Sequence, residues 1–257
     1  MMTRYQWFRT VDTHARMALR ADATRLTLGY LWWVLEPIFF VAVFYLVFGV
    51  ILQSGRADFL TFLIVGKLPF QWFAGAVNHS AGSIVAAQPI ISQLPMNKSF
   101  FPLSKVQESS YKQLAVFALL MLYLIYDGAP MGWHWFWLFP IAFCQYLLIA
   151  AVSMASAAIV CVARDFAKIV QLATMALMFG SGIFWDVRDL PQTTQDLVLT
   201  WNPVAYLLDA YRQVLLYDEH FDPAGLVIWS GTSIAVVYSV NRLFRAFSSQ
   251  LTLRVMR

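Results

Sequence analysis

The sequence predicts an all-α integral membrane protein: six transmembrane helices, an N-terminal amphipathic interface helix, and re-entrant outer helices between spans five and six. Three observations carry this expectation. The 257 residues are 60% hydrophobic and only 12% charged, whereas an ordinary soluble domain is roughly 25% charged. Six apolar runs approach the length of about 20 residues that crosses about 30 Å of hydrocarbon. Lysine and arginine collect on one side of those runs, the asymmetry that marks a cytoplasmic face.

Residues 1–30 form the first element. "YQWFRTVDTHARMALRADATRLTLGY" sets Trp7, Val11, Ala15, Met17 and Ala18 among Arg9, Arg16, Arg20 and Arg25, with Asp12 and Asp22 on other faces. Mixed helical periodicity with Trp and Arg suits a helix lying at headgroup level. The stretch lacks the continuous apolar core of a cleaved signal peptide, so it is expected to stay in the mature chain.

The spans are expected near Leu31–Leu52, Leu60–Ala87, Ser110–Tyr126, Trp133–Val162, Ile169–Trp185 and Ala224–Phe244. With both termini inside, the cytoplasmic side holds Arg4, Arg9, Arg16, Arg20, Arg25, Lys98, Lys105, Lys112, Arg164, Lys168, Arg242, Arg245, Arg254 and Arg257. The outer side keeps only Arg56, Arg188 and Arg212, and carries Asp58, Asp127, Asp186, Asp189, Asp196, Asp209, Asp218, Glu219 and Asp222. The net charge of +4 therefore reflects topology and contact with membrane lipids rather than a nucleic-acid surface. Cys144 and Cys161 both fall in the fourth span, where they pack as small apolar side chains.

Three connecting segments stand out. Residues 88–109, "QPIISQLPMNKSFFPLSKVQES", are polar and punctuated by Pro89, Pro95 and Pro102. They read as a structured cytoplasmic loop, longer than a plain connector requires. "ARDFAKIVQ" carries Arg164, Asp165 and Lys168 in a charged turn between two spans. The outer segment 186–223 includes "TWNPVAYLLDAYRQVLLY", whose Leu199, Val204, Leu207, Leu208, Tyr211, Val214 and Leu215 recur at helical spacing, interrupted by Asp209 and Arg212. It is too short to cross and return, so a partly inserted helical pair is expected there.

Chemistry of the enzymatic kind is hard to find. His14, His79, His134 and His220 lie in different segments, and no HExxH, GxSxG or metal-ligand spacing occurs. "GKL" at Gly66–Leu68 lacks the leading glycine and the Ser/Thr of a phosphate-binding loop, so ATP is not hydrolysed by that route. The spans carry aromatic surface instead. Trp33, Phe40, Phe44 and Phe48, with Pro37, recur at steps of three or four and share one face of the first span. Phe70, Trp72 and Phe73 belong to the second span, and Phe179, Phe184 and Trp185 to the fifth. Such rings pack against lipid or protein, or stack on the apolar C–H faces of sugars as a conduit. Glu36 sits about two turns inside the cytoplasmic boundary. An acid at that depth is either functional or paired with an arginine of the preceding helix. Pro37 beside it is expected to mark where that helix turns into the span.

"LGYLWWVLEP" at Leu28–Pro37, "SFFPLS" at Ser99–Ser104, "ARDF" at Ala163–Phe166 and "WNPVAYLLDAYR" at Trp201–Arg212 occur in this order on the six-span frame. Together they resemble the membrane subunit of type-2 ABC exporters, in the branch of Wzm- and KpsM-like permeases that exports lipid-linked O-antigen and capsular polysaccharide. The resemblance covers nearly the whole chain. It implies a single, non-catalytic transmembrane domain that forms a homodimer and docks two copies of a separate ABC ATPase, which binds the ATP and Mg. Lipid-linked glycan, O-antigen rather than capsule, would cross the bacterial inner membrane along the dimer interface.

On that resemblance, Glu36, Trp33, Phe40, Phe44, Phe48, Phe179, Phe184 and Trp185 become pathway or gate residues. Trp7, Arg16, Pro95, Lys98, Phe101, Pro102, Arg164 and Asp165 become ATPase-docking residues, and Asn202, Pro203 and Arg212 the outer re-entrant element. Lys67 departs from the apolar residue expected near the outer part of span two. Snorkelling of its amine is expected, the other reading being contact with anionic lipid or substrate phosphate. Rival readings are a permease for a drug or another lipid, a membrane enzyme of lipid-glycan assembly, and a secondary transporter. The enzyme would need clustered acids or histidines, which the sequence lacks. The secondary transporter would need paired ionisable groups near the midplane, and Glu36 and Lys67 are expected too near opposite faces for that.

Overall fold

The computed structural model describes residues 4–25, 27–51, 58–93, 96–129, 132–217 and 223–246. Pro95, Arg56, Asp218, Glu219, His220, Asp222, Arg254 and Arg257 lie outside them, as do the side chains of Arg4, Arg25 and Phe48. Among the described residues the secondary structure is helical, with no strand. In chain order the α-helices are α1 (Arg4–Arg25), α2 (Trp32–Phe44), α3 (Phe59–Ala81), α4 (Ser83–Ala86), α5 (Gln88–Ile91), α6 (Phe100–Tyr126), α7 (Leu138–Val162), α8 (Phe166–Gly180), α9 (Gln192–Trp201), α10 (Pro203–Arg212) and α11 (Ala224–Ala246). Five helical stretches are long and apolar enough to cross a membrane: Gly29–Val47, Phe59–Ala81, Phe100–Tyr126, Trp133–Val162 and Ala224–Ala246. Helix α8 is apolar but has 15 residues, short of the about 20 a span needs.

Helix α3 is the hub. It packs on α6, α7, α8, α10 and α2, and buries Phe59, Phe62, Leu63, Val65, Phe70 and Phe73 in the main core. Pro69 inside it cannot donate a backbone hydrogen bond. Two carbonyls beside it accept from neighbouring helices: Gln145 Nε2 donates to Pro69 O at 2.7 Å and Gln113 Nε2 to Leu68 O at 3.4 Å. Helix α7 packs along α11. Its buried Ala150, Ala151, Ser153 and Ala157 permit the close approach that association in lipid requires. A second core cluster joins Val11 of α1 to Ile84, Ile91, Phe100, Phe101, Met154, Ala157, Val240 and Phe244. Cys144 and Cys161 are both free and buried in α7.

Three expectations about the chain path are corrected. The turn from α1 into the first span falls at Gly29, whose φ of +49° favours glycine. Pro37 is buried within α2 rather than at that corner. The run predicted from Leu60 to Ala87 divides at Gly82, where α3 ends and α4 begins. The predicted loop 88–109 is largely helical. α6 starts at Phe100, and Pro102 costs it nothing as the third residue of the first turn, where backbone N–H groups lack intrahelical partners anyway.

Helices α2 and α8 both lie against α3 and are thinly covered. α2 buries only Pro37 and Val41, and α8 only Thr174. Ile38, Phe39, Phe40 and Val43 of α2 and Ile169, Leu172, Met175 and Phe179 of α8 are exposed on the single chain.

Candidate functional site

The aromatic residues expected on the first and fifth spans meet beside α3. Phe40 and Phe44 stack with centroids 6.0 Å apart. Phe44 reaches Phe184 at 4.7 Å, and Phe184 reaches Phe179 at 5.5 Å. Trp185 Nε1 donates to Phe179 O at 2.9 Å, closing the end of α8. Trp33, at the N-terminal end of the same stripe, has other neighbours: the edge of Tyr30 at 4.8 Å and the Lys112 ammonium at 5.6 Å. Glu36 is exposed on α2, one turn before Phe40.

Lys67 completes this cluster and overturns the expectation of snorkelling. Its side chain is 4% exposed, with Nζ 4.5 Å from the Phe40 ring centroid, 5.7 Å from Phe70 and 5.8 Å from Phe44. Met178 Sδ lies 3.5 Å from the same nitrogen. Glu36 is within electrostatic reach, so the two groups are not near opposite faces as expected from the sequence. An eight-residue offset from Phe59 places Lys67 about 12 Å along α3. It is therefore too deep in the bundle for its amine to reach the end of the helix.

The α9–α10 unit is built around Arg212, which is fully buried. Its guanidinium donates from Nη1 to Gly182 O at 2.6 Å and from Nη2 to Ile183 O at 3.3 Å, and Cζ lies 3.6 Å from the Phe62 ring centroid. Gly66, one turn after Phe62, supplies the space: a Cβ there would meet Nη2 at 2.4 Å. Gly182, at φ +74°, turns the chain after α8 so that its carbonyl faces the guanidinium.

Asn202 joins α9 to α10. Its Oδ1 accepts from Val204 N and Ala205 N at 3.1 Å, and its Nδ2 donates to Ser181 Oγ at 3.0 Å and Gly180 O at 3.2 Å. Pro203 occupies the first position of α10, where no backbone donor is lost. Asn202→Ala removes the cap and both links to the end of α8, and is expected to lower stability by about 1–2 kcal/mol. A thermal unfolding midpoint equal to that of the parent protein would contradict the assignment. α10 buries eight of its ten residues and α9 none, so only α10 is core. Arg188 lies 3.7 Å from Asp209, and Tyr217 donates to Asp186 at 2.7 Å.

At the N-terminal end of the chain, α1 is fastened to α6. Arg16 Nε is 3.0 Å from Asp12, Tyr111 donates to Asp12, and the Arg16 guanidinium lies over the Tyr111 ring at 5.5 Å. Lys112 Nζ is 2.6 Å from Asp22 and 3.1 Å from Glu108. The hydrogen bond from Lys112, and then its charge, hold the Asp22 carboxyl below the ordinary carboxylate value, against a partial desolvation. Trp7 is half-buried and lines a cavity of about 230 Å³ with Val11, Leu103, Gln107 and Tyr146. Lys98, Phe101 and Pro102 are buried under this layer, and burial lowers the Lys98 pKa. Arg164 and Asp165, at the turn before α8, and Lys168, in its first turn, are exposed.

Sequence reasoning missed Lys67 as a member of the aromatic cluster, and Arg212 as an anchor rather than an interruption. The second had a signal. Arg212 falls four residues after Leu208 and three before Leu215, on the apolar stripe itself.

Residues 109–216, which span most of α6 through α10, match the family described as ABC-2 type transporter. The chain is similar to an O-antigen export system permease protein, RfbA, of Klebsiella pneumoniae, 26% identical over 212 residues and 82% of either chain. Another RfbA, from Myxococcus xanthus, is 24% identical over 244 residues and 94% of either chain. The polysialic acid transport protein KpsM of Escherichia coli is 23% identical over 210 residues, 80% of this chain and 81% of its own. The family match contains Arg164, Asp165, Phe179, Phe184, Asn202 and Arg212, while the long alignments to export permeases extend the likeness beyond it. Over residues 109–216 the chain is thus similar to ABC-2 type transporters, and over its longer alignments to proteins named as O-antigen export permeases.

Proposed function

We propose that this chain is the membrane-spanning subunit of an ATP-driven exporter that moves lipid-linked polysaccharide, O-antigen rather than capsule, across the bacterial inner membrane. The observation that carries the reading is the uncovered face formed by α2 and α8. It bears Phe40, Phe44, Phe179 and Phe184 in mutual contact, and α2 and α8 together bury only Pro37, Val41 and Thr174. A second copy of the chain meeting this face encloses a path lined by aromatic rings, which stack on the apolar faces of sugars without holding them firmly. Glu36 stands at its cytoplasmic mouth as a polar gate residue.

In this reading the protein crosses the membrane six times, α8 completing its span through the segment to Trp185, with both termini cytoplasmic. The α9–α10 pair is re-entrant and closes the outer end. The chain is non-catalytic. Two ABC ATPase subunits bind ATP and Mg and dock on the exposed Arg16 side of α1 and the Arg164–Asp165 turn. Lys98, Phe101 and Pro102 back that surface from within. The similarity to proteins named as O-antigen export permeases favours O-antigen as cargo; the similarity to a polysialic acid transport protein supports capsule as the second reading.

Purification of the tagged chain from its native membrane in mild detergent, with mass spectrometry of what stays bound, tests the partnership. An ATPase with Walker motifs, in one-to-one ratio with this chain, is the expected result. A chain that purifies alone across several detergents would contradict it.

A further inference from the structure

The Lys67 ammonium is the least expected group in the spans. It is buried, and among the described residues no carboxylate comes within ion-pair distance. Three phenylalanine rings and a thioether surround it. Attraction to ring faces is real but weaker than a counter-ion, and removing an ammonium from water is expensive. Ionisable groups retained at such depth mark pathways for charged cargo.

The cage has one removable wall. Phe70 and Met178 belong to α3 and α8, whereas Phe40 and Phe44 belong to α2, which buries only two residues. A shift of α2 away from α3 uncovers the ammonium towards the same face that carries Phe179 and Phe184. Glu36, one turn below Phe40 and exposed, repels an anion arriving there and keeps its stay short.

We propose that Lys67 is an anion subsite on the wall of the path, uncovered by movement of α2, which takes the phosphate of a lipid head group. This rests on the export reading. The phosphate can come from the carrier lipid of the glycan or from a membrane phospholipid, and both present the same chemistry.

The test uses the chain with its ATPase in nanodiscs during MgATP turnover, with native mass spectrometry of retained lipid. The probes are a polyprenyl pyrophosphate, the matching polyprenol and phosphatidylglycerol. Lys67→Met, an unbranched side chain that fits the cage, is expected to retain about tenfold less pyrophosphate lipid than the parent, the worth of one charge-assisted contact. Lys67→Arg retains it, and polyprenol retention is the same in all three. Glu36→Gln, at an exposed position, is expected to raise pyrophosphate retention by at least about twofold. It therefore reports even if Lys67→Met does not fold.

Displacement of the pyrophosphate lipid by phosphatidylglycerol assigns the site to phospholipid as well; resistance to displacement assigns it to the carrier. Equal pyrophosphate retention by Lys67→Met and the parent, or no response to Glu36→Gln, overturns the proposal. Co-purification of the ATPase and its hydrolysis of ATP with the parent chain stand or fall separately, so failure of the subsite is distinguishable from failure of the export reading.

Discussion

Arg212→Met is expected to destabilise the protein by about 3 kcal/mol, because the carbonyls of Gly182 and Ile183 lose charge-assisted donors inside a core that admits no replacement. The guanidinium also fills the space over Phe62, so truncation leaves a void as well as unpaired acceptors. Gly66→Ala is the complementary change. Its new methyl would meet Nη2 at 2.4 Å, and the fork cannot retreat without giving up one of its carbonyls. The two substitutions act on one contact and should not add. In the Arg212→Met background the flexible thioether yields, and the cost of Gly66→Ala should shrink by about 1 kcal/mol or more. Thermal unfolding in a fixed detergent reads all four proteins. Strict additivity would show that α3 and the α9–α10 unit are not joined through this arginine.

Lys112→Met is expected to release α1 from the bundle while leaving the spans folded. Lys112 touches Asp22 of α1, Glu108 of α6 and the ring of Trp33 on α2. Its loss leaves the largely buried Glu108 with Lys105 alone, at 2.8 Å. The Asp22 bridge is partly exposed, so screening limits its contribution to about 1 kcal/mol. Hydrogen exchange over residues 4–25 should accelerate several-fold, with little change in α3 or α7.

Acid should mimic the substitution. The folded Asp22 carboxyl titrates below its ordinary value of 3.8, so the stabilisation it supplies is complete above that value. It is lost as pH falls through the lowered folded value. Loosening of α1 should therefore begin only below about pH 4. Exchange in α1 that is unchanged in Lys112→Met would remove the bridge from the docking of this helix.

The helical architecture was legible because apolar length and charge asymmetry are properties of single segments. Phe40 and Phe44 were placed on one face by spacing alone, and their contact with Phe184 follows from where α8 packs. Lys67 was not legible. One lysine in an apolar run reads as a group seeking the membrane surface, and only the convergence of α2, α8 and α3 shows rings on two sides of it and a thioether on a third. Proline spacing misplaced the start of α6, since Pro102 was read as a break when its position in the first turn makes it harmless. The long loop inferred from 88–109 was an effect of that choice. Arg212 and Asp209 were read as interruptions of a helix because burial of a charge depends on partners far along the chain, here the carbonyls 30 and 29 residues before Arg212.

Removal of the gene for this chain from its own cell, followed by measurement of surface polysaccharide and of lipid-linked glycan inside, tests export itself. Surface polysaccharide should disappear and lipid-linked glycan accumulate on the cytoplasmic side, with both restored by the parent chain. Surface polysaccharide that persists at the parental level, with no glycan building up within, would contradict a role in its export.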